Sequence, residues 1–181
     1  MTEQMKGLSR EMRMGLKAAS CLGFKFHGSV IEKIKSNGDI EDTFLASCVE
    51  FGFLRNEGDY YIWAHDQIQQ AAYDLIPLNN RDSFHLLIGS RLFMNTGQRE
   101  MKNNLFLIVD NMNHGVMSNL IDNQDQKDEL SQLNLDAGEN ALRRSAFQSA
   151  AKYLLNGLSL LSQDSWQRKY DLTLSLHDAS K

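Results

Sequence analysis

The sequence predicts a mainly α-helical protein with one short β-hairpin. Three observations lead to this fold class. The 181 residues contain a single proline, Pro77, whereas an all-β chain of this length needs more residues that make turns. Apolar residues recur at helical spacing along most of the chain. The spacing changes to that of paired strands only at residues 53–64.

The composition indicates a chain that can bury a substantial core. Hydrophobic residues make up 42% of it, and no apolar run approaches the roughly 18 residues of a membrane span. The charged N-terminus has no apolar segment of a signal peptide. Cys21 and Cys48 are too few for a disulfide scaffold, so we expect reduced cysteines in the core of a cytoplasmic protein.

The apolar spacing in the first part of the chain predicts three helices. The first covers residues 9–22 and ends at Gly23, and a short extended piece with Phe24 and Phe26 follows. The second covers residues 27–34. The third starts after Asp39, which we expect to be its N-cap. The expected apolar stripe of the third helix consists of Ile40, Phe44, Leu45, Cys48 and Phe51.

A β-hairpin follows the third helix. Its predicted strands are residues 53–56 and 60–64, joined by a turn in which Gly58 adopts a positive φ. Three helices followed by a two-stranded hairpin is the element order of a winged helix. We therefore predict a winged-helix domain over residues 1–78.

Helical spacing continues after the hairpin, and residues 79–181 are predicted to form antiparallel helices with short links. A helix over residues 65–76 ends before Pro77, and Asn79 or Asn80 caps the next. The later predicted helices cover residues 100–117, 129–142 and 147–161, and a last one starts with Trp166, Tyr170 and Leu174.

One helical pair partly fits the tetratricopeptide (TPR) pattern, which needs small residues where two helices approach closely. Ala137-Gly138 fits the first element of the pattern, and Ala150 followed four residues later by Leu154 fits the second. Ala141 and Ser162 do not fit the tetratricopeptide pattern. The segment is either a TPR-like array, truncated at the C-terminus, or an ordinary helical hairpin.

No catalytic, cofactor or metal motif is present. The chain has no phosphate-binding G-x-x-x-x-G-K-[ST] loop and no G-x-G-x-x-G. Its five histidines lack the spacing of metal ligands, and neither cysteine stands in a nucleophile motif. We therefore predict no catalytic residue, no metal site and no cofactor in this chain.

A winged helix raises the possibility of DNA binding, which the charges disfavour. The chain has a net charge of −4, and the third helix would enter the major groove without a single Lys or Arg. Its charged residues are Asp39, Glu41, Asp42 and Glu50. The basic residues of the first helices form either a solvated face or a packing surface for another domain; they include Lys17, Lys25, Lys33 and Lys35.

Residues 64–73 read AHDQIQQAAY, which closely resembles the HDRVQQAAY signature of STAND-type AAA signalling ATPases. The chain is similar to their hybrid family, in which a serine/threonine kinase, an origin-recognition-like ATPase and a sensor histidine kinase share one polypeptide. The resemblance extends, in order and spacing, to LKAASCLG at 16–23, FHLLIG at 84–89, LNLDAG at 133–138, AAKYL at 150–154 and YDLT at 170–173.

The resemblance implies that this chain is a fragment of a longer signalling protein. Residues 1–78 would be the winged helix that follows an absent ATPase core, and residues 79–181 the start of a helical sensor array. The parent would be an ATPase and protein kinase using ATP or ADP with Mg²⁺. Its ATPase core and kinase domains would be the partners of this non-catalytic segment, with other proteins bound by the array; neither nucleic acid nor membrane is an expected partner.

The resemblance also implies one functional site. In related switches a His-Asp pair at the end of the hairpin holds the resting ADP state through a bond from the histidine to the β-phosphate, and His65-Asp66 matches that placement. Asp66 would orient the histidine or cap the following helix. Alternatively, His65 only caps or packs at the junction. The competing function is a free-standing adaptor, or a DNA-binding transcriptional regulator with a winged helix and helical repeats.

Overall fold

A computed structural model describes residues 5–180 and confirms a mainly helical chain with one small three-stranded sheet. Within these residues no helix is long and apolar enough to cross a membrane. The chain divides into two compact units between Gly97 and Gln98, each described by itself below. The sequence-based domain boundary after residue 78 precedes this division and stays a prediction.

The first unit contains five α-helices and three strands among the residues described. Its elements are α1 (Arg10–Ser20), β1 (Lys25–His27), α2 (Gly28–Ile34), α3 (Phe44–Glu50), β2 (Leu54–Glu57), β3 (Tyr60–Trp63), α4 (Asp66–Tyr73), a 3₁₀ turn (Leu78–Asn80) and α5 (Arg81–Asn95).

The sheet has the strand order β1-β3-β2, with both pairs antiparallel. The predicted hairpin is confirmed, and Gly58 has a φ of +67° in its turn. The short extended piece around Phe26 is also a strand, and it pairs with β3 in a register that sets Phe26 opposite Tyr61. The last strand in sequence is therefore the central strand of the sheet.

Helix α1 packs closely against α3 at a glycine. Ser9 caps α1 by accepting a hydrogen bond from the Met12 N–H at 3.0 Å. Gly15 is buried one turn later, and a Cβ at this position would lie 2.9 Å from Cγ of Phe44 and closer still to two other ring atoms. Phe44 is itself fully buried. The absence of a side chain at residue 15 therefore makes room for the Phe44 ring.

Asp39 is not a helix cap, and the sequence-based expectation was wrong here. Helix α3 begins only at Phe44, and Asp39 accepts a hydrogen bond from the Ser36 N–H at 2.9 Å. Its other carboxylate oxygen pairs with Arg91 of α5, whose guanidinium also donates to the Ile34 carbonyl. Asp39 thus joins the turn after α2 to a helix much later in the sequence.

The predicted apolar stripe of α3 is only partly buried. Ile40, Phe44 and Cys48 lie in the core, whereas Phe51 is 53% exposed. A helix as short as α3 buries only one narrow face. Phe51 follows the last residue of α3 and does not lie on that face.

The second unit consists of helices among the residues described. They are α6 (Gln98–Met117), α7 (Gln124–Arg143), α8 (Phe147–Leu160), α9 (Ser165–Arg168) and α10 (Tyr170–Ala179). The close approach expected of α7 and α8 is present, since a Cβ at Gly138 would lie 2.7 Å from Cγ of Leu154. Ser145 turns the chain between these helices with a φ of +57°.

Buried polar side chains pair between the helices of the second unit. Asn113 of α6 and Asn134 of α7 exchange two amide hydrogen bonds of 3.0 and 2.9 Å. The Tyr153 hydroxyl donates to Asp110 at 2.9 Å, and burial together with this carboxylate raises the Tyr153 pKa. These bonds satisfy polar groups that would otherwise cost free energy inside the unit.

The last predicted helix exists, but it is interrupted. A break at Lys169 separates α9 from α10, and Trp166, Tyr170 and Leu174 are all substantially exposed. Thr173 and Leu176 are the buried residues of α10. The break rotates α10 relative to the register that an uninterrupted helix through Trp166 would have.

Gly15→Ala should lower the free energy of unfolding of the first unit. Overpacking a buried site costs about 1–3 kcal/mol, and we expect a cost in the upper part of this range because the Phe44 ring is rigid and buried. Alanine stabilises a helix interior by about 1 kcal/mol relative to glycine. The cost exceeds this gain, so the variant should be less stable. Urea unfolding followed by Trp63 fluorescence in a Trp166→Phe background measures this change. Gly97→Ala is the control, because nothing lies within 4 Å of the added Cβ; equal stability of both variants would contradict the prediction.

Both cysteines should resist alkylation in the folded protein. Cys21 and Cys48 are buried, and desolvation raises the pKa of each thiol to about 12. At pH 8 the reactive thiolate is therefore scarce, and we expect iodoacetamide to react at least about a hundredfold more slowly than with the unfolded chain. Mass spectrometry of samples quenched at timed intervals, with and without denaturant, checks this rate ratio. Similar rates in the two conditions would show that the thiols are accessible.

Candidate functional site

The candidate site lies where the chain leaves the central strand β3. The Trp63 N–H donates to the Phe24 carbonyl at 3.1 Å on one side, and the Ala64 N–H donates to the Phe53 carbonyl at 2.9 Å on the other. Trp63 is fully buried. Hydrogen bonds on both sides of the strand thus fix the backbone up to Ala64. They also fix the position of the next residue, His65.

His65 stands at the N-cap position of α4 in an extended conformation, with φ −157° and ψ 146°. Its carbonyl accepts the Ile68 N–H at 2.9 Å, so its backbone starts the helix. Its side chain is exposed and makes no capping bond. His65 is thus the N-cap of α4 through its backbone alone.

Asp66 is the first residue of α4 and not its cap. Its side chain is exposed, and its negative charge is favourable beside the free N–H groups of a helix start. In the described part of the chain, the side chains of His65 and Asp66 make no hydrogen bond or ion pair with each other or with other residues. The orientation of the imidazole by Asp66 therefore stays a prediction.

The rest of the AHDQIQQAAY segment anchors α4. Ile68, Ala71 and Ala72 are buried on one face. Gln69 donates to the distant Ser20 carbonyl at 3.3 Å and joins α4 to the end of α1. The helix is therefore fixed by its apolar face and one long-range hydrogen bond.

Tyr73 secures the other end of α4. Its hydroxyl is 3.0 Å from Nε2 of His85, a buried residue of α5, and the Arg81 guanidinium lies over its ring at 4.4 Å. Burial raises the Tyr73 pKa, with a smaller opposing effect of the Arg81 charge. Tyr73 is a packing residue between two helices, as the sequence indicated.

The segment thus contains two kinds of polar residue. Gln69 and Tyr73 bond to other parts of the first unit, whereas His65 and Asp66 present an imidazole and a carboxylate to solvent from a fixed backbone. An imidazole in this position can donate a hydrogen bond to an anion of a neighbouring domain. Among residues 5–180, no three His, Cys, Asp or Glu side chains are grouped to hold a metal ion.

Sequence reasoning missed the polar residues that fix the helices. The Arg91 contacts and the Asn113–Asn134 pair were not expected. A signal for the pair was present, because Asn113 lies at helical spacing between Val109 and Val116, on an otherwise apolar face. The pairing of Asp128, which is buried in α7, with Arg168 at 3.3 Å was not expected either.

Comparison with known proteins gives one informative similarity. No family model matches the chain, and no solved structure matches it. The chain is 32% identical, over 126 residues, to the hybrid signal transduction histidine kinase G of Dictyostelium discoideum. The match covers 61% of the chain but only 4% of that relative's length. The chain is therefore similar to a small part of a far longer signalling protein.

Proposed function

We propose that this chain is a non-catalytic regulatory and protein-interaction segment of a multidomain signal-transduction ATPase and kinase. The observation that carries this proposal is the similarity to a signal transduction histidine kinase over most of the chain but a very small part of that kinase. Such a segment would couple the nucleotide state of a neighbouring ATPase core to a helical sensor region.

The element order of the first unit supports a winged helix. Three helices precede the β2–β3 hairpin, and β1 lies between the first two and completes the sheet. In the second unit, the glycine contact between α7 and α8 supports a TPR-like hairpin, because that pattern reserves small residues for close helix approach. On this proposal, residues 1–78 follow an ATPase core and residues 79–181 begin a helical array.

The exposed His65-Asp66 pair supports a contact to bound nucleotide. Its backbone is fixed at the end of β3, and the imidazole is left without an internal partner among the described residues. We assign His65 the role of donating a hydrogen bond to the β-phosphate of ADP on the parent's ATPase core, and Asp66 the role of orienting the imidazole. ATP or ADP with Mg²⁺ would thus belong to the parent, and the chain would carry no cofactor of its own.

His65→Ala, made in the full-length parent, should weaken ADP binding about tenfold or more, because a charge-assisted hydrogen bond to phosphate is lost. It should also raise basal activity, since the resting state loses a stabilising contact. Fluorescent ADP titration and basal activity assays measure the two effects.

Gln67→Ala is the matched control for His65→Ala. Gln67 is also exposed, lies in the first turn of α4, and has no side-chain bond among the described residues. Its replacement should leave ADP affinity unchanged. If His65→Ala binds ADP as tightly as the parent does, the assigned role is wrong.

The isolated chain should neither hydrolyse nucleotide nor bind DNA sequence-specifically. It contains no phosphate-binding loop, and α3 carries no Lys or Arg. Phosphate release from Mg–ATP should equal the buffer rate, and fluorescence anisotropy with duplex DNA at physiological salt should show no specific complex. ATP hydrolysis by the isolated chain would contradict the non-catalytic assignment. Specific DNA binding would favour the alternative function, a DNA-binding transcriptional regulator.

A further inference from the structure

A polar pocket of about 430 Å³ lies on the first unit, away from the residues assigned to ADP. One wall is the exposed side of α1, and the other is the turn that follows α2. The residues that matter for its chemistry are Arg10, Arg13 and Lys17 on α1, with Asn37, Gly38 and Asp39 opposite. We call this the cationic pocket.

The charges of the cationic pocket do not balance. Arg10, Arg13 and Lys17 recur every three or four residues, so they share one helix face. Two carboxylates, those of Glu11 and Asp39, also line the pocket. Asp39 already pairs with Arg91, which leaves three cations against one uncommitted carboxylate.

Lys17 is the clearest sign of an absent partner. Its side chain is partly buried, and among the described residues it makes no hydrogen bond or ion pair. Burial, and then the nearby positive charge of Arg13, lower the Lys17 pKa. Other lysines of the first unit differ, because Lys25 pairs with Glu57 and Lys35 pairs with Glu32 and Asp42. An anion beside Lys17 would relieve both the desolvation and the repulsion.

Arg13 is held in place before any ligand arrives. Its Nη1 donates to the Lys6 carbonyl at 2.9 Å and to the Leu8 carbonyl at 2.6 Å. Both bonds use the same nitrogen, and a guanidinium has further N–H donors. A fixed guanidinium loses less conformational freedom when it binds an anion.

We propose that the cationic pocket binds the phosphate groups of a small anionic ligand. Guanidinium groups match phosphate oxygens geometrically, and the Lys17 ammonium adds a point charge. A pyrophosphate group carries enough negative charge to compensate three cations and fits the volume of the pocket. The site is separate from His65 and Asp66 and goes beyond the function proposed above.

Titration of the whole 181-residue chain with inorganic pyrophosphate tests this proposal. Calorimetry at low salt gives the affinity, and ¹H–¹⁵N spectra locate the site. We expect shifts in α1 and in the turn at residues 36–39. Arg10→Gln with Lys17→Met should weaken binding at least about tenfold, because two charged contacts are lost. Arg13 is left in place because it holds the Lys6 and Leu8 carbonyls.

Arg55→Gln with Lys152→Met is the matched control, since it makes the same change in charge at two exposed residues outside the pocket. It should retain the affinity within about twofold, well inside the effect of one charged contact. A parallel titration with ADP distinguishes the source of the phosphate. Equal affinities for pyrophosphate and ADP indicate that the pocket recognises only the phosphate groups. A higher affinity for ADP indicates that the ligand of the pocket is a nucleotide.

Three results would overturn the proposal. The first is the absence of any spectral shift up to about 10 mM pyrophosphate, a concentration beyond the range of weak specific binding. The second is a set of shifts confined to other parts of the chain. The third is a loss of affinity in the control variant equal to that in the double variant. If the double variant fails to fold, as judged by circular dichroism, Arg10→Gln alone must weaken binding, because that side chain is exposed. The ADP measurement on the parent's His65→Ala variant is independent of all these outcomes.

Discussion

The central strand β3 is the constraint on which the first unit depends. It is hydrogen-bonded to β1 on one side and β2 on the other, and it ends in the fully buried Trp63. Because both edges of the strand are occupied, the chain leaves the sheet at a fixed place and in an extended conformation. Helix α4 must begin there, and the exposed His65-Asp66 pair takes its position from a buried strand.

Several polar side chains among the described residues hold separate elements together. Arg91, Gln69 and Tyr73 join helices of the first unit, and the Asn113–Asn134 pair does so in the second. Buried polar groups need such partners because leaving one unsatisfied is costly. His65 and Lys17 differ, because the side chain of neither makes a hydrogen bond or ion pair with another described residue, and this difference leads to the proposed roles of His65 and of the cationic pocket.

Most elements could be predicted from local patterns, and the exceptions have physical reasons. The hairpin turn at Gly58 and the contact of Gly138 with Leu154 follow from short-range chemistry, since one needs a positive φ and the other a missing side chain. Asp39 resembled a helix cap because aspartate is a common one, but a cation on another helix draws its carboxylate away. Trp166, Tyr170 and Leu174 share a helical spacing, but a single break at Lys169 interrupts the helix and leaves all three exposed.

The sequence by itself determined the order of the helices and of the hairpin strands, the positive φ of Gly58, and that His65 and Asp66 stand at the end of the hairpin. Tertiary structure decided which side chains meet. Asp39 and Arg91 are 52 residues apart, and Lys17 faces the turn at Asn37 across a pocket that no local pattern describes. Periodicity and turn chemistry act over a few residues, whereas contacts between distant segments depend on how whole helices pack.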